Sequence, residues 1–243
     1  MFDNAGRTDT VASPVIRPGE LLLNELFFSV QGEGVSIGMP AVFARLHLCN
    51  LRCVWCDTRY TWDAEHPDFF AFERITPPEL ATRLEAIPCR RLVITGGEPL
   101  LHTAAIDALL DLLDGWTVEI ETNGTLVGSP KIRARCQLNI SPKLPSSGNP
   151  PGLMYRPDVL RALTNAPNAW FKFVVADGTD FAAMEELISA CEIPMTRVIV
   201  MPEGRTQAAL TEHALAIIDI VKERGYRMLP RLHVMLWGDR RGV

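Results

Sequence analysis

Short apolar runs that end in glycine or polar residues alternate with amphipathic segments along most of this chain, and that alternation narrows the fold more than any other feature. Ala41–Leu48, Leu92–Thr95, Thr117–Glu121, Gln137–Ile140, Trp170–Val175 and Val198–Val200 read as strands. Between them, helical spacing puts Leu80, Leu84 and Ile87 on one apolar face and Ile106, Leu109, Leu110 and Leu113 on another. Strand–helix alternation means βαβ units and a mostly parallel sheet. Eight such units closed into a barrel take roughly 250 residues. This chain has 243, its first stretch, Met1–Leu21, is weakly patterned, and a long loop follows Leu48. The expected fold is therefore α/β, a partial TIM-like barrel of about six mostly parallel strands. Residues 1–21 are expected to form a flexible N-terminal extension and residues 22–243 a single domain.

Local signals sharpen the element ends. Thr76-Pro77-Pro78-Glu79 predicts a helix start, with Thr76 as N-cap, Pro77 at the first helical position and Glu79 closing a capping box. A second helix is expected over Thr103–Asp114, ended by Gly115. Two more are expected over Asp180–Cys191 and Ala208–Arg224, and Ser146–Gly152, rich in Pro, Gly and Ser, reads as a loop.

Charge and hydropathy exclude several function classes. Lys and Arg number 24 against 29 Asp and Glu, a net charge of −5, the opposite of what a grip on nucleic-acid phosphates requires. No apolar run reaches the roughly 18 residues that span a membrane. Met1–Pro18 lacks the apolar stretch of a secretory signal, so the expected location is the cytoplasm, where thiols stay reduced. Six cysteines there point to metal binding or free thiols.

Three of the six stand together in Cys49-Asn50-Leu51-Arg52-Cys53-Val54-Trp55-Cys56, just past a predicted strand end, where α/β folds build their sites. Structural zinc takes four protein ligands, and an electron-transfer [4Fe–4S] cluster takes four cysteines. This segment supplies three, and no second pair follows. Three thiolates on such a cluster leave one iron open to a small molecule. A zinc knuckle completed by His47 or a distant histidine is the competing reading. Cys89, Cys136 and Cys191 are isolated and read as small buried residues. Further polar groups recur at strand ends, in Thr95-Gly96-Gly97-Glu98-Pro99, Glu121-Thr122-Asn123-Gly124 and Ser141-Pro142-Lys143. Glycines there let backbone approach a ligand closely, and a carboxylate such as Glu98 can accept hydrogen bonds from an ammonium group.

The cysteine spacing, with Trp55 before the third cysteine, resembles the radical S-adenosylmethionine (SAM) superfamily. The run from Asn24 to Gly34, with Gln31-Gly32-Glu33-Gly34 at its end, then Arg45, Cys56-Asp57-Thr58 and Tyr60-Thr61-Trp62, is similar to the 7-carboxy-7-deazaguanine synthases, lyases of queuosine and 7-deazapurine biosynthesis. The resemblance covers the chain from about Leu23 onward. It implies one [4Fe–4S] cluster on Cys49, Cys53 and Cys56, SAM as a cofactor, and Mg²⁺ on Thr58. It implies that a SAM-derived radical takes a hydrogen from 6-carboxy-5,6,7,8-tetrahydropterin, whose ring then contracts with loss of ammonia. It assigns SAM contacts to Trp55, Gly97, Glu98, Ser141, Pro142, Lys143, Met201 and Glu203, and substrate contacts to Val30, Gln31, Gly32, Arg45 and Thr95. Met201 stands where many members have Gln. The resemblance further implies a homodimer, an external electron donor, and no nucleic-acid or membrane partner. Two other readings share the cysteine segment: an activase that makes a glycyl radical on a partner protein, and a non-catalytic zinc module.

Overall fold

The computed structural model describes residues 14–243; residues 1–13 of the expected extension lie outside the described residues. Among the described residues, nine strands form one open sheet in the order β3-β1-β2-β4-β5-β6-β7-β8-β9. They are β1 (Leu21–Val30), β2 (Pro40–Leu46), β3 (Glu73–Ile75), β4 (Arg91–Gly96), β5 (Thr117–Thr122), β6 (Gln137–Ile140), β7 (Ala169–Val175), β8 (Val198–Pro202) and β9 (Arg227–Met228). From β2 to β9 every neighbouring pair is parallel. The sheet is not closed into a barrel, as expected, and the six strands read from the sequence are β2 and β4 to β8.

The other three were not legible as strands. β1 and β3 join the edge antiparallel, with Phe27 opposite Phe43 and Leu21 opposite Ile75. β1 carries its apolar residues in two blocks (Leu21-Leu22-Leu23, Leu26-Phe27-Phe28) split by Asn24-Glu25, so no single uninterrupted apolar run marks it. Leu21, expected as the last residue of the extension, is instead buried at the start of this strand. Residues before it contact β3, since Arg74 donates to Val15 O at 3.0 Å and pairs with Glu20 at 3.1 Å.

Alternation along the parallel strands decides what each face does. Val42, Ala44 and Leu46 of β2, Leu92 and Ile94 of β4, Val118 and Ile120 of β5, Leu138 and Ile140 of β6, and Phe171, Phe173 and Val175 of β7 form one core with the helices. The intervening residues, Arg45, Thr95, Glu121, Asn139 and Lys172, fall on the opposite face, because successive side chains in a strand point to opposite sides. Purely structural parallel strands are apolar on both faces; a polar row on one face here becomes the wall of a cavity.

The helices among the described residues are α1 (Pro77–Glu85), α2 (Thr103–Leu110), α3 (Pro130–Arg135), α4 (Pro151–Met154), α5 (Pro157–Thr164), α6 (Asp180–Ala190), α7 (Gln207–Arg224) and α8 (Leu232–Trp237). Six of these eight, α1, α2, α3, α5, α6 and α7, cover the apolar face, while Met154 of α4 packs with the cysteine segment and α8 lines the cavity. α1 opens with the expected capping box: Thr76 accepts from Glu79 N, and the Glu79 carboxylate accepts from Thr76 N. α2 stops at Leu110, four residues short of the expected Asp114, and Leu113 still packs in the core beyond it. The Ser146–Gly152 stretch is a loop with a single 3₁₀ turn, Pro145–Ser147, and the start of α4. Cys136 and Cys191 are buried as expected, whereas Cys89 is only half-buried.

Candidate active site

The cysteine segment leaves β2 through a constrained turn. Leu48 has φ 75°, a conformation unusual for a non-glycine residue, and its N–H donates to Thr61 O at 2.8 Å while His47 N donates to Leu22 O at 2.8 Å. Those bonds tie the start of the segment to β1 and to the 3₁₀ turn Arg59–Thr61. All three cysteines line one cavity, and each sulfur meets a nitrogen donor. Leu51 N donates to Cys49 Sγ at 3.4 Å, Asn149 Nδ2 to Cys53 Sγ at 3.2 Å, and Trp62 Nε1 to Cys56 Sγ at 3.2 Å. Leu51 and Met154 pack around them. Burial pushes the Cys49 thiol up to about 12 and the Cys53 thiol upward too, so a metal centre taking these sulfurs must displace their protons.

The Gly96-Gly97 pair lies directly against this segment. Gly97 N donates to Leu46 O at 3.0 Å and Glu98 N to Leu48 O at 2.8 Å. A Cβ on Gly97 would lie 2.0 Å from Leu48 O and 2.9 Å from Cys49 Cβ, and Gly96 has φ +137°. Only glycine lets the two backbones approach this closely. Glu98 is buried and does not line the cavity. Its carboxylate accepts from Leu100 N at 2.9 Å, Asn123 N at 2.8 Å and Thr122 Oγ1 at 2.8 Å. It therefore clamps the end of β5 to the glycine turn. Burial pushes this carboxyl up.

Across the polar face of the sheet the same cavity is lined by Arg45, Thr95, Gln31, Glu121 and Lys172. Arg45 Nε donates to Glu25 Oε2 at 2.7 Å, and among the described residues no partner takes its two terminal nitrogens. Gln31 is buried, donating to Glu121 Oε1 at 3.1 Å and accepting from Glu33 N at 3.1 Å. Thr95 Oγ1 donates to Glu121 Oε2 at 2.8 Å, and burial pushes the Glu121 carboxyl up. Phe27 and Phe43 stack at 5.0 Å beside Arg45 and also face the cavity.

The C-terminal segment closes the ring of residues. Arg231, just before α8, donates to Glu33 Oε1 at 2.9 Å and to Gly204 O at 2.8 Å, and pairs with Asp57. His233 packs so tightly on Gly32 that a Cβ there would lie 2.1 Å from its Nδ1. Arg241 bridges Glu25 at 2.8 Å and Asp68 at 2.9 Å with its guanidinium 3.7 Å from the Tyr60 ring. Burial works to raise the Glu33 carboxyl, but Lys172, Arg231 and His233 outweigh it and hold it well below its ordinary value.

One cavity thus joins three thiols, a glycine turn and a row of charged strand residues. The Radical SAM superfamily model matches residues 45–135. A 7-carboxy-7-deazaguanine synthase of Pyrobaculum aerophilum is 36% identical over 222 residues, covering 90% of this chain and 95% of its own. One from Halobacterium salinarum is 37% identical, covering 90% and 91%. This chain belongs to the 7-carboxy-7-deazaguanine synthase family. A crystal structure of QueE from Escherichia coli superposes with TM-score 0.68 at 26% identity, covering 88% of this chain and 95% of that one. As a 7-carboxy-7-deazaguanine synthase family member, the chain is a radical SAM enzyme of queuosine precursor biosynthesis. Such an enzyme uses a [4Fe–4S] cluster and SAM, which separates it from a zinc module.

Fifteen of the seventeen residues expected at the site of this family member line the one cavity: Val30, Gln31, Gly32, Arg45, Cys49, Cys53, Trp55, Cys56, Thr58, Thr95, Gly97, Ser141, Lys143, Met201 and Glu203. Glu98 and Pro142 lie behind the wall. Several lining residues were missed. Lys172 carries a signal in the sequence, a charge flanked by Phe171 and Phe173 inside a parallel strand, and Glu121 stands in the polar strand-end segment Glu121-Thr122-Asn123-Gly124 without having been given a role. Arg231, His233 and Arg241 carry none, because their place depends on where the chain returns after β9.

Proposed function

We propose that this chain converts 6-carboxy-5,6,7,8-tetrahydropterin to 7-carboxy-7-deazaguanine with loss of ammonia. The observation that carries the reading is that three cysteine sulfurs and an arginine with two uncommitted guanidinium nitrogens line a single cavity. The residues present suit a cluster. Three sulfurs receive nitrogen donors in a partly buried pocket, and three cysteines leave one iron of a [4Fe–4S] centre open. Among the described residues no three Cys, His, Asp or Glu side chains group around one ion; a cluster, which binds each sulfur to a different iron, makes no such demand. Once bound, cluster and SAM supply a one-electron reduction and a hydrogen-abstracting radical.

The chain's own residues then bind and orient. Gly97 offers backbone at close range for SAM, with Trp55, Ser141, Lys143, Met201 and Glu203 around it, while Glu98 and Pro142 shape the wall from behind. Lys143 donates to Ser141 Oγ at 2.9 Å and its ammonium stands 5.3 Å from the Trp55 ring. Arg45 receives the substrate carboxylate, for which a guanidinium fork is suited. Val30, Gln31, Gly32 and Thr95 line the substrate side, and Thr58 offers a hard oxygen to Mg²⁺. A single domain, a homodimer, a cytoplasmic location and an external electron donor belong to the same proposal. Among the described residues no helix is long and apolar enough to cross a membrane.

The test is anaerobic reconstitution followed by turnover with SAM, a reductant and the carboxytetrahydropterin, with the product read by mass. About four iron and four sulfide per chain are expected, and Cys53→Ala should abolish SAM cleavage. Absence of 5′-deoxyadenosine from the unaltered enzyme would defeat the radical reading; SAM cleavage without the deazaguanine would defeat the substrate.

A further inference from the structure

We propose that Trp62 and Asn149 set the reduction potential of the cluster by donating hydrogen bonds to two of its three sulfur ligands. The inference rests on the cluster reading above. The three sulfurs are not equivalent. Cys49 meets only a backbone N–H at 3.4 Å and a side-chain amide at 3.9 Å. Cys53 and Cys56 each take a side-chain N–H at 3.2 Å, from Asn149 and Trp62.

Both contacts have one reading. An indole N–H can only donate. The amide of Asn149 is oriented by its other end, because Asn149 Oδ1 accepts from Arg52 N at 2.7 Å, which leaves Nδ2 facing the sulfur. Asn149 and Cys53 are buried, where a dipole aimed at a charge acts with little screening. The Trp62 ring also carries two cations. The guanidinium carbons of Arg52 and Arg59 stand 6.0 and 5.8 Å from its centroid.

Reduction adds one electron to a cluster whose charge spreads onto its sulfurs. N–H dipoles pointed at those sulfurs, and cations behind them, stabilise the reduced state more than the oxidised one and raise the potential. Removing either donor makes the cluster harder to reduce. Trp62 and Asn149 thus act through the cysteines as positioning and tuning residues, and touch no reacting atom themselves.

The decisive measurement is an EPR-monitored redox titration of reconstituted enzyme without SAM, beside iron and sulfide analysis. Trp62→Phe keeps the ring and loses the N–H. Asn149→Asp keeps the acceptor for Arg52 N and replaces the donor with a charge. Both are expected to retain iron and sulfide while their midpoint potentials move to more negative values, Asn149→Asp further than Trp62→Phe. Unchanged midpoints in cluster-replete variants overturn the proposal. So does loss of the cluster in both, which would make the two residues structural. An unaltered enzyme that assembles no cluster would instead overturn the cluster reading on which this rests.

Discussion

Replacing Arg231 by Met tests whether the C-terminal segment is held to the site by charge. The guanidinium joins Glu33 of the β1–β2 connection, Asp57 of the cysteine segment and the Gly204 carbonyl after β8, so one side chain links three loops around the cavity. Met keeps most of the length and none of the charge. Removing one partner of a buried ion pair costs roughly 3–5 kcal/mol, because the other charge is left uncompensated. Here Glu33 retains Lys172 and Asp57 is about one-third exposed at 36%, which places the cost at the lower end, about 3 kcal/mol. For a chain of this size that is a fall in melting temperature of about 6–12 °C, read by far-ultraviolet circular dichroism at pH 7. The pH dependence adds a second check. Arg231 is a main opponent of the burial that would otherwise raise Glu33 and Asp57, and both carboxyls lie below their ordinary values. A depressed carboxyl stabilises the fold above its unfolded-state value, and that contribution disappears as pH falls through the folded-state value. The difference between the enzyme and Arg231→Met should therefore be full above the ordinary carboxylate range and narrow as the pH drops below it. A melting shift under about 2 °C, or a difference that widens in acid, would refute the reasoning.

Three further outcomes follow from the geometry. Gly97→Ala puts a methyl 2.0 Å from Leu48 O, which the backbone relieves only by moving; a loss of about 1–3 kcal/mol in unfolding free energy is expected, with SAM affinity by calorimetry reduced at least tenfold. Arg45→Lys keeps the charge and loses the fork, so KM for the pterin should rise about 10- to 100-fold, the equivalent of a charged hydrogen bond, with kcat changed far less. Thr76→Ala removes both hydrogen bonds of the Thr76 hydroxyl, the one it accepts from Glu79 N and the one it donates to the Glu79 carboxylate, keeps the bond from Thr76 N to that carboxylate, and should cost about 1 kcal/mol in a urea titration while leaving turnover untouched, since α1 lies away from the cavity.

The parallel core was legible because each strand carries its own record of burial. Leu92 and Ile94 face the helices, Thr95 faces the cavity, and the glycines that follow announce close contact with a neighbour. Thr76 and Glu79 marked a helix start correctly because a capping box is a local device, complete within four residues. β1, β3 and β9 escaped for the opposite reason. β3 and β9 are the edge strands and β1 lies next to the edge between β3 and β2; their strand character comes from the partners they pair with, and β9 is two residues long.

The site divides along the same line. Cys49, Cys53 and Cys56 are close in sequence, so their spacing alone reports a metal centre short of one ligand. Glu98 shows the limit of such reading. The motif places a carboxylate beside the glycines, but its direction depends on Thr122 and Asn123, more than twenty residues away, whose donors draw it into the protein. Trp62 on Cys56 and Asn149 on Cys53 were likewise set by the fold.

What the sequence determined by itself was the class of chemistry and the succession of core strands and helices along the chain, both of which are written in local spacing: three cysteines in eight residues, short apolar runs in the strands, a period of 3.6 in the helices. What only the tertiary structure decided was the company those residues keep. Arg231 reaches Glu33 across 198 positions and Arg241 reaches Glu25 across 216. No local pattern encodes contacts of that span, because they exist only once the sheet has brought its first strand and its last segment to the same cavity.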